Sequence, residues 1–162
     1  MPDFSQIRAM TWSTGLPLST LERAWLADPG SLTEKLVAAS AGDFKVVLHS
    51  EQRHWTSPGK PSPTHHGHDL YWCRDVTLYG CGQPWVQART MVPAREQRLL
   101  QRLRQLGTRP LGAFLFSQPN LQRLRMDYAR LESGVARRSW FTLGRQEIIL
   151  VEVFLPTFFD RL

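Results

Sequence analysis

Arginine 74 stands where its strand should be apolar. The stretch Leu70-Tyr71-Trp72-Cys73-Arg74-Asp75-Val76-Thr77-Leu78-Tyr79 alternates with Leu70, Trp72, Val76 and Leu78 on one face, and Arg74 falls on that core-facing side. A guanidinium there needs an anion. It is met by a buried protein carboxylate, or by a ligand carboxylate gripped in bidentate geometry, unless a bulge turns the side chain to water. Glu152 is the converse case, the one charge in Ile148-Ile149-Leu150-Val151-Glu152-Val153-Phe154-Leu155, a strand apolar on both faces and so buried on both. Burial raises a carboxyl pKa and fits the group for acid–base work, whereas a purely structural pair between Arg74 and Glu152 would do no chemistry. Periodicity does not separate these two arrangements. Arg89, in Trp85-Val86-Gln87-Ala88-Arg89-Thr90-Met91, falls roughly opposite Arg74 if the hairpin turns near Cys81. Two arginines facing one cavity would suit a dianion; the alternative puts Arg89 on a solvated face.

Other clusters offer less. Arg137-Arg138 adjoins a strand start and reads as a solvated edge more readily than as a ligand clamp. His65, His66 and His68 lie in a Pro/Gly-rich loop with only Asp69 for company, which is not a metal-ligand set. Cys73 and Cys81 lack CxxC spacing, and two cysteines are too few for a disulfide framework or a four-ligand zinc site, so a reducing cytoplasm is the expected compartment. No GxGxxG, GxxxxGK[ST] or GxSxG pattern occurs, which removes support for nucleotide binding by those routes and for serine-hydrolase chemistry.

The elements that must position Arg74 and Glu152 follow from pattern. Ser19 or Thr20 caps a short helix over 20–27, and Ser31-Leu32-Thr33-Glu34 has the form of a capping box opening a second helix that runs to Gly42. Residues 44–49 form a first strand, and 56–69 are the least structured part of the chain. The strand bearing Arg74 ends at Gly80-Cys81-Gly82 and returns over 85–92 as an antiparallel hairpin. Residues 95–106 form a helix with Leu99, Leu103 and Leu106 inward, ended by Gly107, and 111–116 form a helical turn. Strands over 124–130, 139–143 and 147–155 complete an α+β fold with a mostly antiparallel sheet of five or six strands.

A chain of 162 residues is one domain's worth of sequence, and 42% hydrophobic with 21% charged residues is a globular composition. Twenty basic against fourteen acidic side chains give a net charge of +6, which favours an anionic partner without choosing among polymer, membrane and metabolite. No apolar run approaches a membrane span. Nucleic acid is disfavoured, because Arg95, Arg98 and Arg102 decorate an ordinary helix face and no aromatic stacking platform accompanies them.

Taken in order and spacing, Tyr71-Trp72-Cys73-Arg74-Asp75-Val76, the segment from Gln83 to Pro93, Leu106-Gly107-Thr108-Arg109-Pro110-Leu111-Gly112, and Arg137-Arg138-Ser139 followed by Glu152-Val153-Phe154-Leu155-Pro156 strongly resemble the chorismate pyruvate-lyase family, whose members make 4-hydroxybenzoate. The resemblance implies one domain over residues 1–162, with an antiparallel sheet and an enclosed ligand cavity closed by helical flaps. It implies that Arg74 grips a ring carboxylate, that Glu152 meets the ring hydroxyl, and that the Leu111 backbone helps bind the ligand. A family methionine corresponds to Leu32, which keeps a backbone contact and loses any role for the sulfur. Arg89 would bind the enolpyruvyl carboxylate. The substrate would be chorismate, the products 4-hydroxybenzoate and pyruvate, the destination ubiquinone, and the protein a monomer that needs no metal or organic cofactor. A rival reading is a non-catalytic sensor, since similar sheet-and-pocket domains bind effectors in bacterial transcription regulators; the short N-terminal helices, however, are not a helix-turn-helix module.

Overall fold

Alternating hydrophobicity and well-placed turns divide the chain into two three-stranded meanders that join edge to edge. A computed structural model describes residues 3–62 and 68–162. The first meander is β1 (Phe44–Thr56), β2 (Asp69–Gly80) and β3 (Gln83–Pro93), and the second is β4 (Leu121–Leu131), β5 (Gly134–Leu143) and β6 (Gln146–Phe154). All pairings are antiparallel and the order is β1-β2-β3-β6-β5-β4, an open sheet with β1 and β4 at its edges.

Among the described residues five α-helices accompany it: α1 (Thr20–Leu26), α2 (Leu32–Ala39), α3 (Gln97–Arg104), α4 (Leu111–Phe116) and α5 (Pro156–Phe159). The full capping box belongs to α1, where Ser19 Oγ accepts from the Glu22 amide and Glu22 Oε1 accepts from the Ser19 amide. At α2 only half of the expected box forms, with Ser31 Oγ accepting from the Glu34 amide. Leu99, Leu100 and Leu103 of α3 are buried against Trp72, Val92, Phe141 and Ile148, and Leu26, Leu32 and Leu36 of α1 and α2 join Val76, Leu78, Trp85 and Phe154. These contacts place the helices on the sheet face that carries Arg74. The other face is covered by the N-terminal segment, with Phe4, Ile7 and Trp12 packed on Ala129, Ala136, Val151 and Val153.

Three irregularities in the sheet matter for the site. The β2–β3 turn is a two-residue loop with Cys81 at φ 52° and Gly82 at φ 77°, the backbone twist that suits a tight hairpin. Next to it Tyr79 faces Pro84 while Leu78 faces Val86, so Trp85 is an extra residue in β3. Its ring lies over Gly80, where a Cβ would come within 2.1 Å of it, so only glycine is accommodated there. The other two slips lie between Leu48 and Ser50 on β1 and between Arg123 and Arg125 on β4.

Several boundaries differ from expectation. Strand β1 runs to Thr56 rather than His49, β4 starts at Leu121, and β5 starts at Gly134 rather than Ser139. The last difference moves Arg137 and Arg138 from a solvated edge to a strand interior, where they are 2% and 0% exposed. Two adjacent arginines break the apolar alternation, yet each points to an opposite face and meets its own carboxylate there. His65 and His66 lie outside the described residues, and among the described residues no group of three or more His, Cys, Asp or Glu could hold a metal ion.

Candidate functional site

A pocket lies between the helix-side face of the sheet and the first turns of α2 and α4. Its floor is Val76 and Leu78 of β2, Ala88 and Thr90 of β3, and Leu150 of β6, with Phe116 and Phe141 at its side. Arg74, Glu152, Arg137 and Arg123 supply its charge, and Leu32, Thr33, Leu111 and Gly112 border it from the helices. Of the residues singled out from sequence, Arg74, Glu152, Leu111 and Leu32 therefore meet at one pocket.

Each charged group is placed by strand register. Arg74 faces Glu51 across the β1–β2 ladder, and Glu152 faces Arg137 across β5–β6. Arg74 Nη1 donates to Glu51 Oε1 at 2.7 Å, and Nη2 donates to the carbonyls of Gly107 and Arg109 at 2.8 and 3.2 Å. Its Nε makes no hydrogen bond among the described residues. Arg137 Nε and Nη2 both donate to Oε1 of Glu152, at 3.0 and 2.9 Å, while Nη1 donates to the carbonyls of Leu26 and Asp28. The second oxygen of Glu152, Oε2, receives no hydrogen bond among the described residues. A direct pair between Arg74 and Glu152 does not form, because β3 separates their strands. Strand spacing and rise put their Cα atoms roughly 11–12 Å apart.

Arg89 is not at this pocket. The extra residue at Trp85 shifts the register by one, so Arg89 faces Asp75 and Arg74 faces Thr90, and a one-residue shift moves a side chain to the opposite face. Arg89 Nε and Nη2 donate to the two oxygens of Asp75, each at 2.7 Å, and its guanidinium lies 5.0 Å from the Phe4 ring under the N-terminal segment.

Two further charged residues line the pocket. Arg137 is inside β5 because that strand starts at Gly134 and not Ser139, and Arg123 is inside β4 because that strand starts at Leu121 and not Leu124; regular alternation gives no signal for Arg123, since it would set Arg123 and Arg125 on one face. The slip at Leu124 sets Arg123 against Phe141 and Arg125 against Trp140, so they occupy opposite faces. Burial and the neighbouring Arg137 push the Arg123 pKa below the usual arginine value.

The helical side is close-packed. A Cβ on Gly112 would lie 2.7 Å from Thr33 Oγ1, so α4 approaches α2 over the pocket as closely as glycine permits. Leu32 and Leu111 are the first residues of these helices, where amides have no intrahelical acceptor and the dipole favours an anion.

A family model described as chorismate lyase matches residues 7–162. The chain belongs to the chorismate lyase family. It is 36% identical over 149 residues to a probable chorismate pyruvate-lyase of Marinobacter nauticus, an alignment covering 85% of this chain and 78% of the relative. It is 33% identical over 159 residues to the chorismate pyruvate-lyase of Pectobacterium atrosepticum, covering 93% and 86%. The fold is also similar to the C-terminal domain of a histidine utilization repressor from Pseudomonas syringae pv. tomato, with a TM-score of 0.50 at 12% identity over 70% of this chain and 92% of that one. At that identity the likeness concerns architecture alone. Within the chorismate lyase family, then, this chain carries a pocket bordered by α2 and α4, with an arginine on one strand and a glutamate two strands away. Among the described residues no helix is long and apolar enough to cross a membrane.

Proposed function

We propose that the protein eliminates pyruvate from chorismate, leaving 4-hydroxybenzoate for ubiquinone synthesis. The observation that carries this reading is the convergence of Arg74 and Glu152 on one pocket in a chorismate lyase family chain. Their separation suits a six-membered ring with a carboxylate at one end and a hydroxyl at the other. Arg74 holds the ring carboxylate through the nitrogen its protein partners leave free. Glu152, fixed through Oε1 by Arg137, accepts from the 4-hydroxyl through Oε2. The first amides of α2 and α4, at Leu32 and Leu111, add backbone donors, a role that leucine fills as well as methionine.

In the reaction a proton leaves C4, the C3–oxygen bond breaks with its electron pair passing to the oxygen, and the ring becomes aromatic. The departing enolpyruvate takes up a proton and becomes pyruvate. Two groups compete for the C4 proton, Glu152 and the substrate's own side-chain carboxylate. Cationic side chains lining the pocket stabilise the charge that develops on the leaving group. The product retains both groups that Arg74 and Glu152 recognise, so its release limits turnover.

Incubating the purified protein with chorismate and following both products tests the reading. Equimolar pyruvate and 4-hydroxybenzoate is the expected result. A folded protein that binds chorismate without forming either product would be a binding module, not a lyase.

A further inference from the structure

We propose that Arg123 is the anchor for a second ligand carboxylate, one that the aromatic product lacks. The inference rests on the pocket being the ligand site, as read above. It starts from a comparison among four arginines of one sheet. Arg89, Arg137 and Arg138 each present the Nε–Nη2 edge of the guanidinium to a carboxylate: Arg89 to Asp75, Arg137 to Glu152, and Arg138 to Asp127 at 2.9 and 2.6 Å. That edge matches the spacing of carboxylate oxygens.

Arg123 has the same kind of setting without the acid. Its Nη1 donates to the Pro29 carbonyl at 2.7 Å, its Nε is buried with no hydrogen-bond partner, and its Nη2 makes no hydrogen bond among the described residues. The plane of the group is held by aromatic rings, with Phe141 at 4.6 Å and Phe116 at 5.9 Å from the guanidinium carbon. A buried donor without a partner costs free energy that a ligand oxygen restores. Three arginines border the pocket. Glu51 and Glu152 neutralise Arg74 and Arg137, which leaves the charge of Arg123 unmatched until a ligand supplies it. A ring carboxylate at Arg74 and a second carboxylate at Arg123 describe a dicarboxylate substrate, and a product that has shed one of them loses this contact.

Isothermal titration with two uncleavable probes tests the assignment. One is 4-hydroxybenzoate; the other, 3-(carboxymethoxy)-4-hydroxybenzoate, adds an ether-linked carboxylate at the position that carries the enolpyruvyl group. Arg123→Met is expected to weaken the dicarboxylate about tenfold or more and 4-hydroxybenzoate by less than about threefold, as for loss of one charge-assisted contact. Arg123→Lys, which keeps charge but not the fork, should fall between, and it carries the comparison if Arg123→Met does not fold. Equal weakening of both probes, or of neither, overturns the assignment. If wild type shows the selective loss on substitution yet converts no chorismate, the lyase reading fails and the Arg123 assignment stands. If wild type converts chorismate but the substitution does not discriminate, the reverse holds. If wild type binds neither probe, both fall.

Discussion

The two faces of this sheet carry the same kind of ion pair and put it to different uses. Each holds two arginines matched across a ladder to a carboxylate on the next strand: Arg74 to Glu51 and Arg137 to Glu152 under the helices, Arg89 to Asp75 and Arg138 to Asp127 under the N-terminal segment. On the N-terminal side the pairs are saturated. Both oxygens of Asp127 and of Asp75 are taken, and Arg138 also donates from Nη1 to the Pro58 carbonyl and from Nη2 to the Pro61 carbonyl. On the helix side the pairs are incomplete: both bonds from Arg137 fall on one oxygen of Glu152, and Arg123 forms no ion pair among the described residues. A saturated pair fixes structure, and an unsaturated one leaves valences for a ligand.

The largest effect is expected where saturation is complete. Asp127→Ala strands the Arg138 guanidinium at 0% exposure, and removing one partner of such a pair costs about 3–5 kcal/mol. Urea unfolding should show that loss, while the protein that remains folded keeps its affinity for 4-hydroxybenzoate. A stable Asp127→Ala protein that had lost ligand binding would erase the distinction between the faces.

The pocket side should behave the other way round. Arg74→Ala is expected to weaken 4-hydroxybenzoate binding roughly ten- to hundredfold, the range for a charge-assisted hydrogen bond. Glu152→Gln should keep more binding than activity, because the amide preserves shape and one acceptor. Titration and product formation measured on both variants check this; wild-type behaviour in both would return these residues to a purely structural role.

Glu51 gives a finer test. In Glu51→Gln, Arg74 loses the one carboxylate it meets among the described residues, so the unliganded protein is weakened while a bound ring carboxylate compensates. The rise in Tm on adding saturating 4-hydroxybenzoate should therefore be larger in Glu51→Gln than in wild type. A smaller rise would mean that Glu51 assists the ligand instead of standing in for it.

Which of these features could be read from the sequence is itself instructive. Alternation assigns a residue to a face, so Arg74 and Glu152 stood out as charges on apolar surfaces. It does not say which strands are neighbours, and of the arrangements that periodicity leaves open the Arg74–Glu152 pair does not form because β6 lies beside β3 and β5. Arg89 turns away from Arg74 for a subtler reason. A regular ladder continued from Gly80 opposite Gln83 would set Arg74 opposite Arg89, and the single extra residue at Trp85 turns Arg89 to the other face. Helices α3 and α4 are legible from their leucines and Gly107, whereas the reach of β1 past His49 is not, since polar residues on an edge strand carry little apolar signal.

The smallest predicted effect belongs to the N-terminal face. Burial pushes the Cys73 thiol up to about 12 from 9.0. Between those values the unfolded chain has released a proton that the folded chain retains, so stability is full below the lower one and falls as pH rises toward the upper. Cys73→Ala should show a shallower alkaline loss of stability over that window, measured by urea unfolding at several pH values. The half-buried Cys81 should react first with a thiol reagent.

The most direct test of the central claim is a crystal structure with 4-hydroxybenzoate bound. The ring is expected in the helix-side pocket, its carboxylate on Arg74 and its hydroxyl on Glu152, with the Arg138–Asp127 and Arg89–Asp75 pairs unchanged. A ring seated on the N-terminal face, or in the pocket with its carboxylate turned away from Arg74, would contradict it.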